Sequence, residues 1–299
     1  MRIIENTEDR GQATSTEEFK NWLLEVGDGR ADAISRSPNE HPVWIKIPDN
    51  LLKSWDCAIE EIPKTTYPCF QESMHEDIYL TERAILTSLN DDADRVNNYM
   101  FDITDGEMKE YKSSDEICKG CFDNADQESI YPIEFINGLQ FPGFPDHSLK
   151  LKKGIPVMLL RNVNPSLGLC NGTRMVITNL GKWIVQARII TGDRAGNNVL
   201  IPRITVTPSQ TKWPFIIKRR QFPLKLCYAM TINKSQGQSL KHVGLYLPQQ
   251  VFSHEQLYVA LFRVTNLQGL KVLIVEEEEQ YKTYTKNIVY YEVLQKLEV

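Results

Sequence analysis

The hydrophobic pattern of the first hundred residues alternates between the periods of helices and strands. Residues 19–26 carry apolar side chains at helical spacing, which predicts a short helix that packs by one face. Residues 84–87 form an apolar run that predicts a buried strand, and a helix capped by Asn90 or Asp91 follows it at once. A strand that leads directly into a helix is typical of α/β folds.

The pattern changes in the second half of the chain. Residues 103–146 are polar and acidic with several Pro and Gly, which predicts a long, partly irregular connection. Five short β-rich runs then predict a small barrel: residues 157–160, 174–178, 183–190, 199–201 and 215–217. The α/β pattern resumes in strands 226–230, 243–247 and 270–275 and in helices from Thr231 and across 255–261. We therefore predict an α/β domain in two pieces, 1–147 and 223–299, with a β insert at 148–222.

Charge is unevenly distributed along the chain. Residues 147–254 hold 16 Lys and Arg against one acidic residue, Asp193, whereas residues 1–146 hold 13 basic and 31 acidic residues. A concentrated positive surface is typical of proteins that bind the phosphate backbone of nucleic acids. An exposed β-rich segment that is Lys-rich for solubility is the alternative interpretation.

Other composition features bear on the compartment. No apolar run approaches the ~18 residues that a membrane span requires, so we expect a soluble intracellular protein without a membrane partner. The six cysteines are scattered, which is typical of a reducing compartment. Cys118 and Cys121 have the spacing of half a zinc site, but no second Cys or His pair lies at a suitable distance, so no metal site is predicted.

Two strand-to-helix junctions carry the strongest local signals. Residues 229–238 run from a buried strand into a hydroxyl, an ammonium and Gly237 at a predicted helix start, where unpaired backbone N–H groups attract anions. A polar turn capped by one of its hydroxyls is the alternative. The apolar helix 255–261 leads to Arg263, which either compensates the helix dipole or reaches a γ-phosphate.

Together these residues resemble a known family, the PIF-type DNA helicases of superfamily 1B. Residues 222–240 look like motif V of that family, and residues 256–264 look like motif VI. Residues 149–174 are similar to its SH3-like insert, especially in the plant and Helitron-encoded branch, and residues 83–99 resemble the opening of its second RecA-like domain. The resemblance implies an α/β fold: a RecA-like domain of the P-loop NTPase type with an inserted small SH3-like all-β barrel.

The resemblance also implies a function and its residues. The implied activity is a motor that hydrolyses ATP with Mg²⁺ and moves 5′ to 3′ on single-stranded DNA, in DNA repair, recombination or telomere maintenance. Arg263 and Arg2 are the implied catalytic arginines, and Gln236 and Gly237 line the nucleotide together with Arg263. The implied nucleic-acid contacts are Thr87, Asn90, Lys152, Lys153, Arg174, Thr231, Asn233 and Lys234.

Part of the family's pattern is missing. No Gly-x-x-x-x-Gly-Lys-Ser/Thr motif occurs, so we expect the C-terminal part of a helicase, inactive alone, whose N-terminal RecA-like partner domain supplies most of the ATP and Mg²⁺ site. Phe262 stands where the family usually has Ser, and Glu255 where it usually has Gly; either change could disable the motor. A non-catalytic single-stranded nucleic-acid-binding module, or a decayed transposon-derived remnant, is the alternative. We expect a monomer in the nucleus or, alternatively, the mitochondrion.

Overall fold

The chain folds into two compact units. The computed structural model describes residues 10–53, 58–74, 76–118, 131–208 and 213–290. Unit 1 consists of Met1–Ile103 and Tyr228–Val299, and unit 2 consists of Thr104–Cys227. The β-rich unit therefore begins earlier along the chain than the predicted insert at 148–222.

Most of the helices lie in unit 1, whereas strands occur in both units. The helices are α1 (Arg10–Gly27), α2 (Ala58–Thr66), α3 (Phe70–Ser73), α4 (Asp77–Thr81), α5 (Asn90–Ile103), α6 (Ile133–Gly138) and α7 (Gln256–Leu261). The first eight strands are β1 (Ala33–Ile34), β2 (Trp44–Lys46), β3 (Arg83–Thr87), β4 (Lys109–Lys112), β5 (Ser114–Ile117), β6 (Ser148–Leu151), β7 (Pro156–Leu159) and β8 (Arg174–Leu180). The others are β9 (Ile184–Ile189), β10 (Asn198–Pro202), β11 (Ile204–Val206), β12 (Ile217–Gln221), β13 (Leu224–Leu226), β14 (Ala229–Thr231), β15 (His242–Leu247), β16 (Leu270–Ile274) and β17 (Tyr284–Lys286).

A parallel sheet forms the centre of unit 1. Its strand order is β14-β3-β15-β16, and each neighbouring pair is parallel. The strands are almost entirely buried, as expected for a parallel sheet covered on both faces. The α/β prediction and the strands predicted at 84–87, 243–247 and 270–275 are confirmed. The run predicted at 226–230 is divided between β13 and β14, because the chain passes from unit 2 to unit 1 at this point.

The two helices predicted in the N-terminal half are present. The apolar stripe at 19–26 lies in α1, which is longer than predicted and ends at Gly27. Helix α5 begins at Asn90, and its buried side chains recur at helical spacing. One of these is polar: Asn97 accepts hydrogen bonds from the backbone N–H groups of Tyr228 and Ala229 at 2.9 and 2.8 Å and thereby fixes β14 against α5.

A second, antiparallel sheet of unit 1 joins distant parts of the chain. Its order is β1-β2-β17, so the C-terminal segment pairs with residues near the N-terminus. Arg36 lies between the rings of Trp44 and Tyr281, at 3.6 and 3.9 Å, and donates to Glu276 at 2.6 Å. The acidic run that begins at Glu276 is therefore partly engaged in packing. The apolar stripe at 288–294 predicts a packing helix, and its residues 291–294 lie outside the described residues.

Unit 2 is rich in β structure, as predicted. A five-stranded antiparallel sheet has the order β10-β9-β8-β7-β13, and a three-stranded sheet has the order β11-β12-β5. A two-stranded pair, β4-β6, completes the described β structure. The β module is confirmed, although its strands form several sheets and not one continuous ring.

The connection predicted at 103–146 contains regular structure. Strand β4 pairs with β6, and β5 pairs with β12, which follows it by about a hundred residues. Both strands are short, and β5 alternates only between exposed and half-buried positions, so it lacks the apolar signal of a strand. The prediction of an irregular connection was wrong at these strands, because the pairing partners and not the local sequence specify them.

Candidate nucleotide and nucleic-acid site

Two adjacent strands of the unit 1 sheet end in threonine. Thr87 of β3 and Thr231 of β14 are partners in the parallel register, so both lie at the same carboxyl edge. Asn90 opens α5 just beyond this edge, and Asn233 lies in the turn after Thr231; both asparagines are exposed. The structure thus brings four predicted nucleic-acid contacts to the edge where ligands commonly bind in parallel α/β sheets.

Thr87 differs from the other three residues in its burial. Its side chain is fully buried, and its hydroxyl donates to the carbonyl of Leu89 at 2.8 Å. The neighbouring Ser88 hydroxyl donates to the carbonyl of Gln249 at 2.9 Å, which links the ends of β3 and β15. These two hydroxyls shape the edge from within, so Thr87 supports the candidate site and does not form its exposed surface.

The helix predicted to begin at Thr231 is a single 3-10 turn, Ile232–Ser235. Gln236 is extended, with φ −57° and ψ 131°, and Gly237 has φ +84°, so the backbone turns away before an α-helix can form. The α-helix predicted to begin at Thr231 was therefore wrong, and the anion site expected at this turn stays a prediction. Gly237 lies exposed in the turn, and no described heavy atom lies within 4 Å of the position that a Cβ would occupy.

Arg263 is held beside this turn. Its Nε donates to the carbonyl of Val259 at 3.1 Å, and its Nη1 donates to the carbonyl of Gln238 at 3.2 Å. The backbone N–H of Leu240 donates to the carbonyl of Arg263 at 2.9 Å, so the two segments run side by side. Burial lowers the pKa of the Arg263 guanidinium from its ordinary value, and Tyr258 opposes this shift. The structure therefore brings Arg263 next to the segment that contains Gln236 and Gly237.

The start of helix α7 shows why glycine suits the position of Glu255, the first departure from the family pattern. Glu255 precedes the helix with φ +55° and ψ +10°, a left-handed conformation that favours glycine. Gln256 is buried, and its Oε1 accepts hydrogen bonds from the N–H groups of Phe252 and Ser253 at 3.0 and 3.4 Å. The N–H of Glu255 also donates to the carbonyl of Ile288 at 2.9 Å. These contacts hold Glu255 in a backbone conformation that its side chain disfavours.

Replacing Glu255 with glycine is expected to stabilise unit 1. A Cβ in the left-handed region costs about 1–2 kcal/mol, and the greater chain entropy of glycine offsets part of that gain. We therefore expect Glu255→Gly to raise the free energy of unfolding by about 1 kcal/mol, measured by urea denaturation. Glu25→Gly, at an exposed position of α1, is the matched control and should lower stability by about 1 kcal/mol. A loss of stability in Glu255→Gly would contradict the argument.

Phe262, the second departure, does not distort the end of α7. It adopts a helical backbone with φ −76°, and its ring stacks on Tyr258 with centroids 5.3 Å apart. The Arg263 guanidinium carbon lies 5.7 Å from the centre of the Phe262 ring. The phenyl group is thus accommodated beside Tyr258 on α7, next to Arg263.

Two predicted phosphate contacts of unit 2 lie in the interior. Arg174 has an exposed fraction of 0%, and Lys152 is buried and donates to the carbonyl of Thr104 at 2.6 Å. Buried side chains present no surface to a phosphate, so in this conformation both positions contradict the predicted contacts. Lys153 is exposed, and Lys234 of unit 1 is partly exposed, so both remain candidates. The adjacent residues Lys152 and Lys153 differ in burial, so their exposure could not be read from residue type alone.

Further predicted features fall outside what the structure describes or tests. Arg2 lies outside the described residues. Among the described residues, no group of three His, Cys, Asp or Glu side chains is arranged to hold a metal ion. Cys121, half of the pair considered for zinc, also lies outside them. None of the described helices is both long enough and apolar enough to cross a membrane.

Comparisons with known proteins agree with the motifs. Residues 134–180 match the family model described as the 2B domain of the DNA helicase Pif1. The ATP-dependent DNA helicase PIF1 of Homo sapiens is 41% identical over 128 residues, which cover 42% of this chain and 19% of that protein. The PIF1 helicase of Xenopus laevis is 36% identical over 137 residues, which cover 43% and 20%.

Solved structures show the same fold. Bacteroides Pif1 bound to single-stranded DNA aligns with a TM-score of 0.54 at 21% identity, covering 94% of this chain and 53% of that one. Pif1 helicase from Candida albicans aligns with a TM-score of 0.56 at 18% identity, covering 94% and 57%. The chain therefore has the mixed α/β, RecA-like fold of these helicases. The matches support homology to the Pif1 helicases, and they span about a fifth of the length of the human and Xenopus proteins.

Proposed function

We propose that this chain is the C-terminal motor part of an ATP-dependent DNA helicase that moves 5′ to 3′ on single-stranded DNA. The observation that carries the proposal is the position of Arg263, whose Nη1 is hydrogen-bonded to Gln238 beside Gln236 and Gly237. A guanidinium at the edge of a RecA-like sheet can stabilise negative charge on a phosphoryl group bound by a partner domain. The chain alone does not complete an ATPase site.

The residues present fit one side of a nucleotide site. Gly237 leaves open space beside the backbone, and the buried Oε1 of Gln238 has no hydrogen-bond partner among the described residues. The Gln238 Oε1 acceptor and the Arg263 guanidinium lie on adjacent segments and can orient a nucleotide. The nucleotide would supply the phosphoryl group for hydrolysis. We assign Mg²⁺ to the N-terminal RecA-like domain, as the resemblance to the family implies. Among the described residues, no group of three His, Cys, Asp or Glu side chains is arranged to hold a metal ion.

Supplying the N-terminal RecA-like domain of a Pif1 helicase, by fusion or as a second chain, tests this function. We expect ATP hydrolysis that rises on addition of single-stranded DNA, with the unsupplemented chain as the inactive control. If a folded complex binds DNA but does not hydrolyse ATP, the result would favour a non-catalytic module that binds single-stranded nucleic acid.

Finer assignments follow the family. We propose that the chain derives from the plant and Helitron-like branch, acts in DNA repair, recombination or telomere maintenance, and is a monomer in the nucleus or mitochondrion. Expression of a tagged chain tests the compartment, and sedimentation tests the oligomeric state.

The second candidate is a non-catalytic module that binds single-stranded nucleic acid. It is favoured by the charge of unit 2, in which Thr104–Cys227 hold 17 Lys and Arg against 11 Asp and Glu. The rest of the chain holds 17 basic and 28 acidic residues, so unit 2 has a net positive charge and unit 1 a net negative one. Retained DNA binding without hydrolysis in the supplemented complex would select this candidate.

Binding of single-stranded DNA is expected to depend strongly on salt. If the chain neutralises three or more phosphates, affinity should fall at least about tenfold between about 50 and 200 mM salt, because counterions are released on binding. Fluorescence anisotropy of a labelled oligonucleotide measures this slope. An affinity that stays flat across this range would show that the basic surface of unit 2 does not contact the backbone.

A further inference from the structure

The hairpin between β8 and β9 presents a tryptophan to solvent. Trp183 is 65% exposed, the largest exposed fraction of any large apolar side chain described in unit 2. The ammonium of Lys182 lies 5.3 Å from the centre of its ring. Removing so large an aromatic surface from water is strongly favourable, so an exposed tryptophan that belongs to a wider apolar patch indicates a contact surface.

The tip of this hairpin is held rigidly. Tyr111 donates from its hydroxyl to the carbonyl of Gly181 at 2.7 Å, and Lys109 donates to the carbonyl of Leu180 at 2.8 Å. A Cβ on Gly181 would lie 2.5 Å from the carbonyl oxygen of Ile184, so the turn requires glycine. Strand β4 therefore fixes both carbonyls of the tip, and Trp183 extends from a preorganised turn.

An apolar surface continues from the tip along the sheet. Ile184 and Leu200 are 45% and 59% exposed. The antiparallel register pairs Ile184 with Pro202 and Gln186 with Leu200, so these side chains share the outer face of β9 and β10. Arg188 follows on the same face of β9, opposite Asn198. The face thus combines stacking surface, amides and positive charge.

The charge of this region selects the kind of partner. Residues 180–192 contain two basic residues, Lys182 and Arg188, and no acidic one, and β10 carries no acidic residue. Positive charge interleaved with exposed aromatic and apolar side chains suits a single strand whose bases are unpaired, because phosphates meet the cations and bases stack on the ring. A neutral apolar peptide would not use the cations.

We propose that the surface formed by Trp183, Ile184 and Leu200 of the β8–β9–β10 face stacks against nucleobases of single-stranded nucleic acid. The proposal rests on the proposed function, in which the basic side chains of unit 2 bind the phosphate backbone. It names the surface of the same unit that contacts the bases. It adds Trp183 as a residue that recognises unpaired bases, where the basic side chains recognise only phosphates.

Two oligonucleotides test the proposal on the full chain. One has about 12 thymidines and the other is an abasic strand of the same length, and both are measured by fluorescence anisotropy. Trp183→Ala should weaken binding of the thymidine strand about 5- to 150-fold, the range expected for loss of one stacked base, and leave binding of the abasic strand unchanged. Trp183→Phe should restore most of the affinity. Leu167→Ala, at a 54% exposed apolar position of the same unit, is the matched control and should change neither.

The outcomes separate this inference from the proposed function. If the wild-type chain binds neither strand, the proposed function fails. If it binds both strands and Trp183→Ala changes neither affinity, or lowers both equally, the stacking surface is refuted while nucleic-acid binding stands. If Trp183→Ala instead weakens only binding of a poly-glutamate peptide, the surface recognises acidic peptides and the proposal is overturned.

Discussion

Replacing Arg263 with alanine in the complex with a supplied N-terminal RecA-like domain is expected to lower DNA-stimulated ATP turnover by about 10³- to 10⁵-fold. This is the range for arginines that stabilise charge on a transferring phosphoryl group. The guanidinium is already positioned by Val259 and Gln238 through Nε and Nη1, so its loss removes a preorganised donor and not a mobile side chain.

The substitution should act on chemistry and leave binding intact. Single-stranded DNA affinity and the midpoint of urea unfolding should change little, because Arg263 is only partly buried. Arg263→Lys keeps the charge but cannot reproduce the fixed geometry of the guanidinium, so turnover should remain low. Arg30→Ala, whose side chain is 71% exposed, is the matched control. Turnover within about tenfold of wild type in Arg263→Ala would exclude a role in phosphoryl transfer.

Replacing Arg219 with alanine is expected to destabilise unit 2 by about 3–5 kcal/mol, the cost of leaving a buried charge without its partner. Arg219 is 1% exposed, and its Nη2 lies 2.6 Å from Oδ2 of Asp115, whose side chain is 0% exposed. The same guanidinium donates to backbone carbonyls of four residues: Ile136, Asn137, Leu139 and Pro145. Its removal would therefore leave several carbonyls unpaired and a buried carboxylate without its guanidinium, although the Ser113 hydroxyl would still donate to that carboxylate at 2.5 Å.

Urea unfolding and hydrogen exchange of β5 and β12 measure this effect. Arg220→Ala, at the neighbouring exposed position of β12, should change stability by less than about 0.5 kcal/mol. The double variant Arg219→Met with Asp115→Leu should be more stable than Arg219→Ala alone, since it removes both charges. If Arg219→Ala and Arg220→Ala were equally mild, the ion pair would not hold the segment 136–145 in place.

The parts of the fold that were predicted are those in which local pattern and burial agree. Strand β3 and helix α5 were found because a parallel strand is apolar throughout and a surface helix is amphipathic. The short strand β5 was missed because its stability comes from pairing with β12 and from Asp115, a polar residue that local pattern assigns to a loop.

The site was predicted in part for a similar reason. The parallel register brings Thr87 and Thr231 to one carboxyl edge. Arg263 instead lies beside the segment of Gln236 and Gly237 through its hydrogen bonds to Gln238 and Leu240. The conformation after Thr231 depends on Gly237 at φ +84°, and the burial of Arg174 depends on the whole β module. Neither is encoded within a window of a few residues.

The interrupted course of unit 1 has a consequence for its biosynthesis. Strand β14 pairs with β3, yet all of unit 2 lies between them in the chain. A ribosome therefore finishes unit 2 before β3 can pair with any strand of its sheet, because β14, β15 and β16 all follow unit 2 in the chain. At that stage Asn97 of α5 also lacks the Tyr228 and Ala229 backbone N–H groups that it binds in the folded unit. Until those strands are synthesised, β3 is a single apolar strand with both edges unpaired, and nascent chains stalled within unit 2 should be the species most prone to capture by chaperones.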